Sequence, residues 1–184
     1  MIELIIGKVI EIKKDSITLV SNDLGYKIYT PNPYSFKLDE NYTVYTHLHI
    51  KDDNLTLFGF LDKEEKKLFE SLISVNGIGP KSAMAILATG SVSNIAQAIN
   101  SGDHKYLCKF PGIGSKSAQQ IVLDLKGKVD IKSYSGNYIV LDEVHDALSV
   151  LGYSDKDINK VLPTLDTNKS TSELIKIALG KILG

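Results

Sequence analysis

A sixteen-residue stretch occurs twice in this sequence, and it constrains the fold more than any other feature. The copies begin at Leu72 and Leu107, 35 residues apart, and eight of the sixteen positions carry the same residue. Each copy is typical of a helix, a tight Gly-Ile-Gly turn and a second helix, because glycine tolerates positive φ and lets another backbone come close. The central Ile can fill the cleft between the helices, and Ala83 and Ala118 permit close packing. The sequence therefore predicts two helical hairpins of one design.

The residues that follow each turn indicate what the hairpins bind. N–H groups in the first turn of a helix have no carbonyl partner and attract anions, and a Lys-Ser pair stands beside them in both copies. We therefore predict a phosphate-binding site that contains no catalytic group. Its residues are Gly77, Gly79, Lys81, Ser82, Gly112, Gly114, Lys116 and Ser117. The alternative is a pair of hairpins that serve only for packing.

Other phosphate and repeat motifs fit the doubled stretch poorly. A Walker A loop has glycine directly before its lysine, whereas Pro80 and Ser115 stand there. A dinucleotide fingerprint needs a third glycine where Ser82 and Ser117 stand, and it follows a strand. A tetratricopeptide array lacks the Gly-Ile-Gly turn and normally has three or more units. We therefore expect neither an ATP site nor any other cofactor.

The distribution of charge supports a local phosphate-binding surface. The chain carries a net charge of −1, but residues 63–133 alone carry +4, against −3 before them and −2 after them. All 21 basic residues are lysine. Lysine binds phosphate as a point charge and cannot make the bidentate contact of arginine to guanine. Any nucleic acid should therefore be bound through its backbone.

The hydropathy pattern predicts an α+β multidomain chain. Residues 1–62 alternate over five short runs (6–12, 16–20, 26–29, 42–50 and 55–60), which predicts an OB-type β-barrel. Residues 63–130 predict an all-α tandem helix-hairpin-helix domain, with Asp62 as the first helix cap and Ser91 or Ser93 as a later one. Residues 131–140 are typical of a linker. Residues 141–184 predict a three-helix bundle, with its first helix beginning at Leu141 and ending at Gly152.

The remaining reactive side chains give no sign of further chemistry. Cys108 is alone and lies inside the second hairpin, so we expect a small buried residue. His47 and His49 share a strand face without cysteines or paired acids, so a metal site is not expected. No apolar run has membrane-spanning length, and the acidic N-terminal segment does not fit a signal peptide. A cytoplasmic protein without a membrane partner is the expectation.

The order of these modules resembles the RuvA family, the Holliday junction-binding subunits of the bacterial branch-migration complex. The residues that carry the resemblance are 57–60, the paired motifs 75–81 and 110–114, and the C-terminal runs 147–153 and 174–179. The resemblance implies a homotetramer that holds four-way junction DNA open, with the hairpins gripping the arms. It also places Asp52 and Asp53 at an acidic pin near the crossover. From the residues alone, the favoured interpretation of this pair is that it simply forms a turn between two strands.

The resemblance further implies that the C-terminal bundle docks a RuvB-type hexameric ATPase, so that the chain itself is not an enzyme. A junction resolvase is a further partner that the resemblance leaves open. The implied motor-binding residues are Leu148, Leu151, Gly152, Tyr153, Leu174 and Ile175.

Two departures from the family pattern stand out. Gln120 occupies a position that is often basic, so that one phosphate contact is weaker or is supplied by Lys126 or Lys128. The linker is also shorter than usual. The alternatives to a junction-binding scaffold are a helix-hairpin-helix repair nuclease or glycosylase, an accessory DNA-binding protein, and a pure protein-interaction module.

Overall fold

The computed structural model describes residues 2–51, 54–129, 138–165 and 170–183. The chain divides into two compact units, Met1–Val129 and Asp130–Gly184. Among the described residues, the first unit contains five strands and five α-helices, and the second contains three α-helices.

Five strands of the first unit form a closed barrel, as the alternation of residues 1–62 predicts. The neighbours around the barrel follow the order β1-β2-β3-β5-β4, and closure comes from a parallel pairing of β3 with β5 at Tyr29 and Phe58. The predicted runs are correct, and the strands extend most of them by one or two residues at an end. The strands are β1 (Leu4–Ile12), β2 (Ser16–Ser21), β3 (Leu24–Tyr29), β4 (Asn41–Lys51) and β5 (Asn54–Phe60).

The interior of the barrel is apolar because alternate residues of each strand point inward. Gly7 and Gly59 lie where the closed barrel leaves no room for a side chain. A Cβ on Gly59 would lie 2.3 Å from Ile28 Cγ2 and 2.6 Å from Val44 Cγ1, so no side chain fits there. The fully or almost fully buried core residues are Ile5, Val9, Ile17, Leu19, Ile28, Phe36 and Val44.

The helices of the first unit begin at the caps that their sequences predict. Asp62 accepts a hydrogen bond from Glu65 N–H, and Ser91, one of the two predicted candidates, accepts one from Asn94 N–H. The first helix of the second hairpin, which the repeat predicts, is only four residues long and is capped by Asp103; one turn is too short for its bounds to be predicted from periodicity. The helices are α1 (Lys63–Ile73), α2 (Pro80–Thr89), α3 (Val92–Ser101), α4 (His104–Leu107) and α5 (Ser115–Leu125).

A charged cluster joins the barrel to α1. Lys66 is almost fully buried, and its ammonium group pairs with Glu3 on the barrel side and with Glu70 Oε1 at 3.9 Å. Glu70 also lies 3.0 Å from Nδ1 of His47 on β4. Since Phe69 packs against aromatic rings of β5 beside this cluster, α1 is held in a defined orientation on the barrel.

The second unit is a small helical bundle. Its helices are α6 (Tyr138–Val150), α7 (Asp155–Val161) and α8 (Thr171–Leu183), and a 3-10 turn follows α7 at Leu162–Thr164. The predicted linker is therefore wrong for residues 138–140, which are helical; no glycine or proline interrupts the chain between Gly136 and Gly152. Gly152 ends α6 at φ +89°, as predicted. The preceding part of the linker lies outside the described residues.

Candidate nucleic-acid interface

The two hairpins have the same turn geometry. The first glycine of each turn lies in the left-handed region, with φ +85° at Gly77 and +78° at Gly112. The second glycine is the helix N-cap in an extended conformation, with φ −92° at Gly79 and −86° at Gly114. Only the first glycine of each pair therefore needs positive φ, whereas the second lies in a conformation that any residue can adopt and has room for a side chain.

The side chains around each turn are placed as the repeat predicts. Ile78 and Ile113 are both buried between their helices, and so are Ala83 and Ala118. The N–H of Ile78 donates to Val75 O at 3.0 Å, and that of Ile113 donates to Phe110 O at 3.1 Å. The equivalence of these contacts confirms two hairpins of one design.

The start of the second helix of each hairpin offers free backbone donors. The first internal bonds run from Ala83 N–H to Gly79 O at 3.1 Å and from Ala118 N–H to Gly114 O at 2.9 Å. The N–H groups of the Lys-Ser pairs precede these bonds and so have no helical carbonyl partner. A Cβ added at Gly79 or Gly114 would meet no atom of the described chain within 4 Å, which leaves both N-termini open to an anion.

The predicted lysines and serines surround these donors. Lys81 and Lys116 are exposed, and neither forms an ion pair with a carboxylate in the part of the chain that the structure describes. Ser82 and Ser117 are half-buried. Ser82 Oγ lies 4.0 Å from the position that a Cβ on Gly112 would occupy, so the first hairpin lies close to the turn of the second. The two predicted phosphate sites therefore lie side by side.

Gln120 is engaged within its own helix. Its Nε2 lies 2.9 Å from both carboxylate oxygens of Asp124, four residues later. Lys126 and Lys128 are exposed near the end of α5. Whether either lysine replaces a basic side chain at position 120 stays a prediction.

Comparison with known proteins decides the family. The family models for the RuvA N terminal domain, the SAM-like helix-hairpin-helix tandem and the RuvA C-terminal domain match residues 1–59, 69–127 and 140–183. The Holliday junction branch migration complex subunit RuvA of Bacillus velezensis is 41% identical over 200 aligned positions, which cover all of both chains. The same subunit of Acholeplasma laidlawii is 44% identical over 182 positions, covering 96% of each chain. The chain belongs to the RuvA family.

The acidic pair that the RuvA resemblance singles out, Asp52 and Asp53, lies outside the described residues. The strands on either side are described, and Lys51 of β4 pairs with Asn54 of β5. The pair therefore connects two antiparallel strands, and its role at a crossover stays a prediction.

The predicted motor-binding residues of this RuvA family member differ in their burial. Leu148 and Leu174 are fully buried in the core of the second unit, so the prediction that they contact a motor is wrong; they face the neighbouring helices. Leu151 and Gly152 are exposed, and Tyr153 and Ile175 are partly exposed. Val150, the last residue of α6, is not among the predicted residues; it is 88% exposed and directly precedes Leu151.

Three further predictions concern reactive groups and membranes. Cys108 is exposed rather than buried, because it caps the short helix α4 while Leu107 and Phe110 supply the side chains that face the core. No cluster of His, Cys, Asp or Glu in the described part of the chain could hold a metal ion. Within the same residues, no single helix has the length and apolarity to cross a membrane; α2 and α3 meet the criterion only together, across a 110° bend.

Proposed function

We propose that this chain is the DNA-binding subunit of a Holliday junction branch migration complex, and that it performs no catalysis itself. The observation that carries the proposal is the pair of adjacent, equivalent phosphate sites in a chain that matches RuvA subunits over its full length. Each hairpin binds the backbone of one duplex through helix N–H groups, a lysine and a serine. Because the chain contains no arginine, contacts to the DNA backbone outweigh readout of base sequence.

The proposed assembly is a homotetramer. Four copies would present one pair of hairpins to each arm of a four-way junction, which matches the fourfold arrangement of the arms. Asp52 and Asp53 of each copy would face the crossover, where carboxylates repel phosphates and keep the strands apart. Support for the tetramer comes from the family resemblance and from the fourfold symmetry of the ligand.

The second unit is proposed to dock a RuvB-type hexameric ATPase in the cytoplasm, and the motor hydrolyses ATP. The exposed apolar end of α6, Val150 and Leu151, with the adjacent Gly152 and Tyr153, is the surface best suited to this contact. A junction resolvase is a further partner on the free face of the DNA.

Binding to a four-way junction and to a linear duplex of the same length tests the proposal. We expect tighter binding to the junction and a steep loss of affinity with salt, because bound lysines release counterions. Equal affinity for the two DNAs at moderate salt would contradict the proposal.

Reversal of charge at the hairpins tests the site itself. Lys81→Glu with Lys116→Glu should lower junction affinity about 100-fold, since each hairpin loses a phosphate contact and gains a repulsive charge. Lys160→Glu with Lys176→Glu makes the same change of net charge in the second unit and is the control. Equal effects of the two pairs would show that only net charge matters, and circular dichroism would establish that all variants are folded.

A further inference from the structure

A cleft of about 950 Å³ lies between the barrel and α2. Its walls come from the end of β3, the β4–β5 pair and the first two turns of α2. The volume falls in the range of about 300–1,000 Å³ that is typical of pockets for small ligands. The cleft is therefore large enough for a single nucleotide but too small for a duplex.

Positive charge surrounds this cleft. Lys14, Lys51 and Lys81 line it together with a single carboxylate among the described lining residues, that of Asp15. Among the described lining residues, three lysines and one aspartate give an excess of two positive charges. Gly79 and Ser82 also line the cleft, so the free N–H groups at the start of α2 border the same space. The cleft therefore suits a phosphate group.

Aromatic side chains form another part of the wall. Tyr29, His49 and Phe58 line the cleft, and the ring centroid of Phe58 lies 6.1 Å from that of Tyr29 and 6.3 Å from that of His49. Tyr29 and His49 are only half-buried, so parts of both rings are accessible. Lys27 Nζ covers one face of Tyr29, 4.7 Å from the ring centroid. Aromatic rings beside a cationic groove are the combination on which unpaired bases stack.

A buried hydroxyl provides a further and independent indication of a ligand. Thr30 lines the cleft and is only 5% exposed. Its backbone N–H donates to Asp15 O at 3.3 Å, but its Oγ1 has no hydrogen-bond partner among the described residues. Buried hydroxyls are rarely left without a partner, since the loss of solvation is costly. A polar ligand atom in the cleft would satisfy it.

We propose that this cleft binds one unpaired nucleotide of a DNA strand. The phosphate lies against Lys14 and Lys51, next to the first hairpin's own phosphate site, the base lies against Tyr29 and His49, and the Thr30 hydroxyl bonds to the sugar or the base. The inference rests on the proposed junction-binding function, because strands separate only at a crossover. It adds a contact with single-stranded DNA to the backbone contacts of the hairpins.

The test uses oligodeoxythymidylate of about twelve nucleotides with one 2-aminopurine, whose fluorescence falls on stacking. The full-length chain should quench the fluorophore. Tyr29→Leu should weaken binding about 5- to 100-fold, as expected for the loss of one stacked base, whereas Tyr29→Phe keeps the ring and should stay within about twofold. Tyr26→Leu makes the same change on the same strand outside the cleft and is the matched control. Thr30→Val should weaken binding without loss of stability, because it replaces a hydroxyl that has no partner among the described residues with a methyl group of similar size.

Other outcomes would overturn the inference. Unchanged affinity of Tyr29→Leu, or absence of quenching by the unaltered chain, would exclude a stacked base. A change in oligomer mass by light scattering with unaltered oligonucleotide binding would show that a second copy of the chain covers the cleft.

The preference of the unaltered chain for a four-way junction over duplex is measured in the same buffer. If the preference for the junction persists while Tyr29→Leu has no effect on oligonucleotide binding, nucleotide binding in the cleft is excluded and the proposed function stands. If the preference is absent, the proposed function is excluded.

Discussion

Asn100 joins two segments that are far apart in the sequence of the first unit. Its Nδ2 donates to Val129 O at 2.7 Å and to Ala96 O at 3.1 Å, while its Oδ1 accepts from Gly127 N–H at 2.8 Å. One amide therefore satisfies backbone groups of α3 and of the chain that follows α5. These bonds fasten the end of the hairpin domain to its middle, and the sequence gives no sign of them.

Glu65 is a half-buried carboxyl group whose protonation affects the stability of the fold. Burial, and secondarily the charge of Asp62, raise the pKa of Glu65 to about 7 from an ordinary value of 4.5. Because the folded chain favours the protonated form, the stability that this group contributes is full below about pH 4.5. It is lost as the pH rises through about 7.

Glu65→Gln tests this dependence on pH. The glutamine stays neutral, so the variant should gain on the order of 1–3 kcal/mol in free energy of unfolding relative to the unaltered chain between pH 5 and pH 8. Urea unfolding at the two pH values measures the difference. Glu64→Gln removes a charge from the same turn and is the control. A stability difference that does not change with pH would rule out a raised pKa at Glu65.

At the scale of elements, the two glycines of each hairpin turn have different roles. Gly112 adopts φ +78°, where a side chain is strained, whereas Gly114 caps α5 in an extended conformation that any residue can adopt. The first glycine is therefore needed for folding, and the second keeps the helix N-terminus accessible.

Two serine substitutions separate these tasks. Gly112→Ser should lower the free energy of unfolding by about 1–2 kcal/mol because of the left-handed backbone. Gly114→Ser should leave stability equal or higher, since serine is a good N-cap, but should weaken junction binding because its hydroxyl occupies the free N–H groups. Thermal unfolding and a junction-binding titration measure the two effects. Similar losses of stability in both variants would contradict this division.

At the scale of the whole molecule, charge is segregated along the chain. The positive region, residues 63–133, contains both hairpins, while the barrel region before it is negative. In the proposed tetramer, attraction at the arms and repulsion at the crossover act on the same DNA. Binding and branch migration should therefore depend on different residues.

Asp52→Asn with Asp53→Asn tests the repulsion. With a RuvB-type motor and ATP present, we expect the rate of branch migration to change while junction affinity changes little, because only the crossover loses charge. Asp23→Asn with Asp39→Asn removes the same charge from other barrel turns and is the control. Branch migration at the unaltered rate would show that the two aspartates serve only to connect β4 with β5.

The parts of the fold that the sequence predicts are those with local causes. The hairpins follow from glycine, isoleucine and alanine at fixed spacing, and the strands follow from alternation. The single-turn length of α4, the exposure of Cys108 and the burial of Leu148 and Leu174 could not be predicted. A single helical turn shows no periodicity, and an apolar residue in an amphipathic helix can face either its own core or a partner.

The doubled Gly-Ile-Gly stretch, with its Lys-Ser pairs and its positive surroundings, is determined by the sequence alone, because turn conformation and helix capping depend on neighbouring residues. Tertiary structure alone places the two turns against each other through Ser82 and Gly112. It also brings Tyr29, His49 and Lys81 to one cleft. These contacts join residues that are distant along the chain, and their partners are set by how the barrel closes and how α1 packs on it.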